Sequence, residues 1–267
     1  MFSQTEQAEL LDVANALADA AREITLKYFR APELQAVNKL DDGFDPVTIA
    51  DREAETAIRN ILAKRRPNDA ILGEEFGNRA GTSGLTWVID PIDGTRAFIS
   101  GIPSWGVLIG LDAGDGPLLG VVDQPYIGER FIGAFGQARL VVGDESRDIS
   151  SSKCETLGEA TLMSTFPEVG TEVERLGFEA VRDQVKLTRY GLDCYAYALL
   201  AMGQIDLVIE AGLNAYDIQG PQGVIEAAGG IVTDWQGGPA HNGGRILAAS
   251  NAVLHAQALE ILSKVAD

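Results

Sequence analysis

The chain has 267 residues, 46% of them hydrophobic, with a mean hydropathy of +0.03, so it can bury a sizeable core as one large domain or two closely packed halves. Thirty-nine acidic residues against 21 basic ones give a net charge of −18 and a pI of about 4.4, a balance that repels nucleic-acid backbones. An anionic substrate therefore has to be met by something locally positive, and with few basic side chains to spare a metal ion is the natural candidate.

Ser3 and Glu6 read as a capping box. It opens a helix running to about residue 30, with Leu10, Leu11, Val13, Ala14, Leu17 and Ala21 at helical spacing. Residues 1–9 are polar and acidic rather than basic and then apolar, so no secretory signal is expected. A polar loop carrying Asp41, Asp42 and Gly43 follows, and a second helix spans 49–66 and stops before Pro67. Short strands are predicted at 70–72, 86–89, 105–111 and 118–122, then a hairpin of 130–135 and 138–142 across Gly136-Gln137.

The second half alternates: strands at 160–165, 185–188, 205–210, 230–233 and 246–249, and helices at 171–182, 194–202, 218–228 and 251–265. The pattern divides the chain near Ser150, without a flexible linker. Residues 1–150 form an α+β half with an antiparallel sheet and most of the candidate metal ligands, and 151–267 an α/β half supplying Asp217 and the substrate pocket. No apolar stretch approaches the roughly 20 residues that span a bilayer. A soluble, cytoplasmic protein without membrane or nucleic-acid partners is expected.

Cys154 and Cys194 lack C-x-x-C spacing and read as buried or half-buried thiols. His241, in a Gly-rich turn, and His255, in the closing helix, read as surface residues. With only two histidines, a His-dependent triad, an H-E-x-x-H zinc site and a phosphohistidine mechanism all lack parts.

The most informative segment is Trp87-Val88-Ile89-Asp90-Pro91-Ile92-Asp93-Gly94-Thr95. An apolar strand delivers two carboxylates into a tight turn in which Pro91 fixes φ and Gly94 permits what other residues resist. Asp90, Asp93 and the Ile92 carbonyl can converge on a hard cation such as Mg²⁺, which takes oxygen ligands at about 2.0–2.1 Å. The backbone N–H groups of Gly94 and Thr95 can then face a phosphate. Gly73-Glu74-Glu75 follows a short strand, and Asn214-Ala215-Tyr216-Asp217 leads from a strand into a helix, where Asp217 also reads as an N-cap. Haloacid-dehalogenase-like phosphatases offer a competing reading, D-x-D-G-T with an aspartyl-phosphate intermediate. Here the pattern is D-x-x-D-G-T, and the extra residue moves the second Asp off the nucleophile's neighbouring face. Gly143-Asp144 to Asp148 matches a G-D-x-x-x-D pattern but reads as a polar hairpin exit.

Taken together these residues resemble the inositol monophosphatase superfamily over essentially the whole chain. The motifs are Asp45-Pro46-Val47-Thr48-Ile49-Ala50-Asp51, Gly73-Glu74-Glu75, the Trp87 to Thr95 segment and Tyr216-Asp217-Ile218. The resemblance implies a layered α-β-α-β-α sandwich of the inositol monophosphatase and fructose bisphosphatase type, two or three Mg²⁺ ions per site, and a homodimer. It implies one metal on Glu74, Asp90 and the Ile92 carbonyl, a second on Asp90, Asp93 and Asp217, and Asp51 as an outer carboxylate serving a weaker Mg²⁺ or its waters. Thr95, paired with Asp51, would orient the water that attacks phosphorus directly, with Glu74 among the catalytic groups.

Within the superfamily, Gly94-Thr95-Arg96-Ala97-Phe98-Ile99-Ser100-Gly101 and Gly191-Leu192-Asp193-Cys194-Tyr195 are similar to the histidinol-phosphatase branch. Inositol monophosphatases tend to carry Asn where Ala97 stands and a small residue where Asp193 stands. Asp193 and Glu210 would line the leaving-group pocket, with Arg96 as a further substrate contact. Two carboxylates there suit a leaving group bearing an ammonium and an imidazole. Asp193 could alternatively only cap the following helix. The reading is a phosphate monoester hydrolase acting on histidinol phosphate, with inositol-1-phosphate or broad sugar-phosphate hydrolysis as the alternative. A metal-binding regulatory protein without turnover would have no need of Thr95 beside Asp51.

Overall fold

Capping and apolar periodicity place the first two helices. In this computed structural model, which describes residues 2–32, 34, 36–38 and 46–266, the Ser3 hydroxyl accepts from Glu6 N (3.3 Å) and the Glu6 carboxylate accepts from Ser3 N (2.7 Å). That box opens α1 (Gln4–Tyr28), whose stripe of Leu10, Val13, Ala14, Leu17 and Ala21 is buried. The loop of Asp41, Asp42 and Gly43, and Asp45 of the first motif, lie outside the described residues. Strands β1 (Ala36–Asn38) and β2 (Pro46–Thr48) pair antiparallel and lead into α2 (Ile49–Arg65).

The first large sheet contains β3 (Ala70–Gly73), β4 (Gly77–Arg79), β5 (Thr86–Asp93), β6 (Gly106–Asp112), β7 (Pro117–Gln124), β8 (Glu129–Ala134), β9 (Gln137–Val142) and β10 (Glu145–Asp148). Its order is β10-β9-β8-β7-β6-β5-β3-β4, and every pairing is antiparallel except β3 with β5. A short helix, α3 (Thr95–Ile99), follows β5. The β8–β9 turn lies at Phe135-Gly136, one residue before the predicted place. Both residues have positive φ (51° and 78°), as a tight two-residue hairpin requires.

The second sheet has β11 (Thr161–Ser164), β12 (Leu187–Tyr190), β13 (Leu207–Asn214), β14 (Ile231–Thr233) and β15 (Gly243–Ala249), ordered β12-β11-β13-β15-β14. Its helices are α4 (Glu172–Arg182), α5 (Cys194–Ala201), α6 (Ala215–Ala227) and α7 (Ala252–Leu262). α4 and α7 pack with one face of this sheet, around Phe178, Trp235 and Leu254. α5 and α6 share a core with residues of both sheets, from Leu108, Val122 and Phe131 to Val208 and Ala248. α1 and α2 cover the other face of the large sheet, around Ile58, Trp87 and Ile109. The layers are therefore α1/α2, large sheet, α5/α6, small sheet, α4/α7.

α6 is pressed against the large sheet with almost no side chain between. A Cβ on Gly120 would lie 2.1 Å from the Gly220 carbonyl oxygen, and one on Gly133 2.3 Å from that of Gly223. This contact fixes where the N-terminus of α6, and Asp217 with it, meets the end of β5. One expectation is corrected here. His255 is buried at 8% exposure, its Nε2 2.8 Å from the Thr233 hydroxyl, because α7 turns that side of the helix onto β14. Among the described residues no helix is long and apolar enough to cross a membrane.

Candidate active site

Strand β5 carries the centre of the site. Asp90 lies in the strand, and the β5–β6 register shifts between Asp90 and Asp93, a bulge formed around Pro91 and Ile92. The Asp90 carboxylate accepts from Ile92 N (3.0 Å), and Gly94 then turns the chain at φ 81° into α3. Parallel β3 sets Glu74 alongside, with Glu74 N donating to the Ile89 carbonyl (3.3 Å). From the other sheet, Asn214 caps α6, and its backbone N donates to Asp217 Oδ2 (2.7 Å). Asp217 is thus the third helical residue of a capping box rather than the cap itself. Carboxylate oxygens of Asp90, Asp93 and Asp217 all lie within 4.8 Å of one another. Glu74 lines the same cleft, of about 350 Å³.

Electrostatically the cluster is unfavourable as it stands. Asp90 is 2% exposed; burial, then the charges of Glu74, Asp93 and Asp217, push its carboxyl well above the usual range. Burial and then Asp193 and Asp217 do the same to Asp93, against a hydrogen bond from Cys194 N (2.8 Å). Burial raises Asp217 to about 7. Among the described residues, none of the leading influences on these three carboxyls is a positive charge. An all-oxygen set that burial and mutual repulsion drive toward protonation fits a hard divalent cation, which reverses both effects.

Thr95 and Asp51 meet at the edge of this cluster. The Thr95 hydroxyl is 3.1 Å from the Ile92 carbonyl and 3.5 Å from Asp51 Oδ1. Asp51 closes the capping box of α2, its Oδ2 accepting from Thr48 N (2.8 Å) and the Thr48 hydroxyl (2.6 Å). Burial nevertheless raises its carboxyl to about 6.

The outer wall of the cleft holds the remaining predicted residues. Asp193 stands at the N-cap position of α5 but makes no cap hydrogen bond. Its carboxylate accepts from the Ser104 hydroxyl at 2.6 Å. Its backbone, φ 46° and ψ −142°, is in a region that costs an L-residue on the order of 1–3 kcal/mol. Burial raises its carboxyl, while the Ser104 hydrogen bond and Arg96 pull the other way. Glu210 sits at the bulge in β13 and is buried; Oε1 accepts from Thr165 N (2.9 Å) and Oε2 from the Tyr197 hydroxyl (2.7 Å). Arg96 is exposed, its guanidinium 5.4 Å from the Phe166 ring. The structure thus brings every predicted side chain to one cleft or, for Asp51, to its edge, with Glu210 more occupied by protein donors than the sequence indicated. Neither histidine lines it.

Supporting residues escaped the sequence reading. Glu55 of α2 is fully buried and its carboxylate accepts from Glu75 N (2.8 Å), Phe76 N (3.2 Å) and Arg59 Nε (2.7 Å), which locks the turn bearing Glu74. A Cβ at Gly73 would lie 2.2 Å from Glu55 Oε1, so the Gly before Glu74 was the available signal.

Comparisons with known proteins point to one family. The inositol monophosphatase family model matches residues 6–266. The chloroplastic bifunctional phosphatase IMPL2 of Arabidopsis thaliana is 44% identical over 98% of this chain and 77% of its own length. A histidinol-phosphatase of Streptomyces coelicolor is 36% identical over 95% of this chain and 97% of its own. Among solved structures, an inositol monophosphatase from Zymomonas mobilis superposes with a TM-score of 0.85 at 38% identity, covering 98% of this chain and 99% of that one.

Proposed function

The chain belongs to the inositol monophosphatase family of phosphatases, and from that premise we propose that it is a Mg²⁺-dependent histidinol-phosphatase. The observation that carries the substrate is Asp193: a carboxylate on the wall of the cleft, one oxygen held by Ser104 and the other without a hydrogen bond among the described residues. A leaving group bearing an ammonium gains a charge-assisted hydrogen bond there that a neutral polyol cannot match. The histidinol-phosphatase relatives, at 34–36% identity, support the same reading.

In this proposal Glu74, Asp90, Asp93, Asp217 and the Ile92 carbonyl hold the Mg²⁺ ions. When bound, Mg²⁺ neutralises the phosphoryl oxygens and lowers the pKa of water. The backbone N–H groups of Gly94 and Thr95, at the start of α3 and without intrahelical partners, receive phosphate oxygens. The Thr95 hydroxyl orients the attacking water and passes its proton toward Asp51, whose raised pKa suits a proton acceptor near neutral pH. No side chain need bond to phosphorus, so solvent ¹⁸O enters the phosphate.

Hydrolysis of inositol-1-phosphate or other sugar phosphates is the second reading, favoured by the hydroxyl and amide groups of Ser164, Thr165, Asn214 and Tyr216 along the same cleft. Phosphate release with Mg²⁺ from histidinol phosphate, inositol-1-phosphate, fructose-1,6-bisphosphate and adenosine bisphosphate separates the two. Asp193→Asn should lower the ratio of kcat/KM for histidinol phosphate over inositol-1-phosphate by roughly 10- to 150-fold, the equivalent of about 1.5–3 kcal/mol. A wild-type preference for inositol-1-phosphate would overturn the substrate assignment and leave the family and its phosphatase class standing.

A further inference from the structure

Asp193 occupies a backbone conformation that glycine would adopt without strain, so its side chain has to be wanted for something. It does not cap α5, and no salt bridge holds it among the described residues. What holds it is a wedge between two segments of the first half of the chain. On one side is Gly94, where a Cβ would lie 2.9 Å from Asp193 Cγ and 3.2 Å from Oδ2; only a residue without a side chain leaves that space. On the other is Ser104, 2% exposed, whose hydroxyl donates to Oδ2 at 2.6 Å across 89 residues of sequence.

Ser104 is itself fixed by the sheet. Gln124, at the end of β7 and fully buried, donates through Nε2 to the carbonyls of both flanking residues, Pro103 and Trp105, the latter at 3.0 Å. Gln124 Oε1 in turn accepts from Ile127 N (2.8 Å). The serine hydroxyl therefore projects from a loop pinned on both sides. Gripped through Oδ2 by a rigid donor and packed against Gly94, the carboxylate leaves its second oxygen little room to move.

We propose that Ser104 is the positioning residue for substrate choice: by holding Asp193 Oδ2 it presents Oδ1 to a cationic leaving group beside the phosphate site. This rests on the histidinol-phosphate reading. Without the hydroxyl, Asp193 is free to relax from its strained backbone or to turn toward Arg96, and the cation loses a preorganised acceptor.

The test compares wild-type protein with Ser104→Ala and with Ser104→Cys, which is somewhat larger, keeps the side chain's shape and donates only weakly, in case the alanine variant does not fold. Kinetics are measured on histidinol phosphate and on inositol-1-phosphate in Mg²⁺, and inhibition is measured with histidinol and with inorganic phosphate. The expected result is a fall of about tenfold in the kcat/KM ratio of the cationic over the neutral ester, carried mainly by KM, about 1.4 kcal/mol. Histidinol should weaken as an inhibitor about tenfold more than phosphate does. In the Asp193→Asn background the serine change should add little, since both act on one contact. An equal loss on both esters, or no change in the ratio, overturns the role of Ser104. The wild-type substrate preference is read separately and decides the parent reading, so the two failures are distinguishable.

Discussion

Two acidic centres adjoin the large sheet and are built in opposite ways. Asp123, on β7, is fully buried and paired with two arginines: Arg22 Nε and Nη2 at 3.0 and 2.6 Å, and Arg130 Nε at 2.7 Å. Arg130 reaches on to Asp19 and Asn15 of α1, so the network ties the first helix to the sheet. At the end of β5, by contrast, Asp90, Asp93 and Asp217 converge, and among the described residues no cation is a leading influence on any of them. Where the protein needs only a joint, it supplies the counter-charge from its own side chains. Where the charges stand unbalanced, they are left to be neutralised by protons or by a bound cation.

The sharpest way to break that contrast is to remove one charge from the unbalanced centre. Asp93→Asn takes one charge from the proposed metal-holding set and keeps an oxygen to accept from Cys194 N. Activity in Mg²⁺ should fall about 1,000-fold or more, matching the several kcal/mol a bound cation contributes. Stability in chelator should hold or rise, because like-charge repulsion is relieved. Retained turnover, or unfolding of the variant without metal, would mean the cluster is structural.

Removing the charge at the balanced centre should do the reverse. Asp123→Ala leaves Arg130, which is 8% exposed, and the partly buried Arg22 without their shared partner. The loss should be about 3 kcal/mol, the lower end for a broken buried pair because Arg130 keeps Asp19. Chemical denaturation reads this directly, with residual kcat per folded molecule close to wild type. A stability change near zero would place Asp123 among surface-like pairs despite its burial.

Much of the unbalanced centre was legible in sequence because its geometry is local. Asp90 and Asp93 are fixed by one strand end, Pro91 and Gly94, and the spacing alone brings them together. Asp217 was legible as an acid at a strand-to-helix junction, but its exact place was not. β13 runs on to Asn214 through a bulge and α6 begins at Ala215, earlier than the apolar pattern beginning at Ile218 suggested. Helix α3 escaped notice because five residues carry too little periodicity. The balanced centre was not legible at all. Asp123 meets Arg22 across 101 residues, and nothing in either segment marks the other. Ser104 and Glu55 were invisible for the same reason: their partners are tertiary. Capping boxes and alternation placed most elements within a few residues of where they stand, while their stacking into layers was legible only through the family resemblance.

The contrast sharpens further in its response to metal and pH. Folding raises the carboxyl of Asp51 to about 6 and that of Asp217 to about 7, from an ordinary value near 3.8. The folded state therefore holds these protons more tightly than the unfolded chain. The stability they contribute is full below the unfolded value and is lost as pH rises through about 6 to 7. In chelator the unfolding midpoint should consequently decline from pH 5 to pH 8. Mg²⁺ at about 100 times its Kd should add about 2.7 kcal/mol at neutral pH and flatten that decline, since it binds the deprotonated cluster. Equal pH slopes with and without Mg²⁺ would show that the cluster does not take the ion.

A buried ionisable group outside both centres gives the smallest effect and the opposite sign. His255 on α7 is 8% exposed and has the Thr233 hydroxyl as its hydrogen-bond partner at 2.8 Å. Burial holds its pKa below the ordinary 6.5, with no charged group contributing to the shift. The unfolded chain therefore takes up this proton more readily than the folded one. Its contribution to stability is present above pH 6.5 and is lost as pH falls below it. In wild-type protein this rise with pH partly offsets the decline caused by the acidic cluster. His255→Gln keeps a polar group for Thr233 and removes the titration. The midpoint difference, wild type minus variant, should then grow as pH goes from 5 to 7 in chelator, and should be the same in Mg²⁺ because α7 does not line the cleft. A difference that stays constant with pH would mean that His255 titrates alike in both states. A difference that changes with Mg²⁺ would mean that the small sheet communicates with the metal cluster.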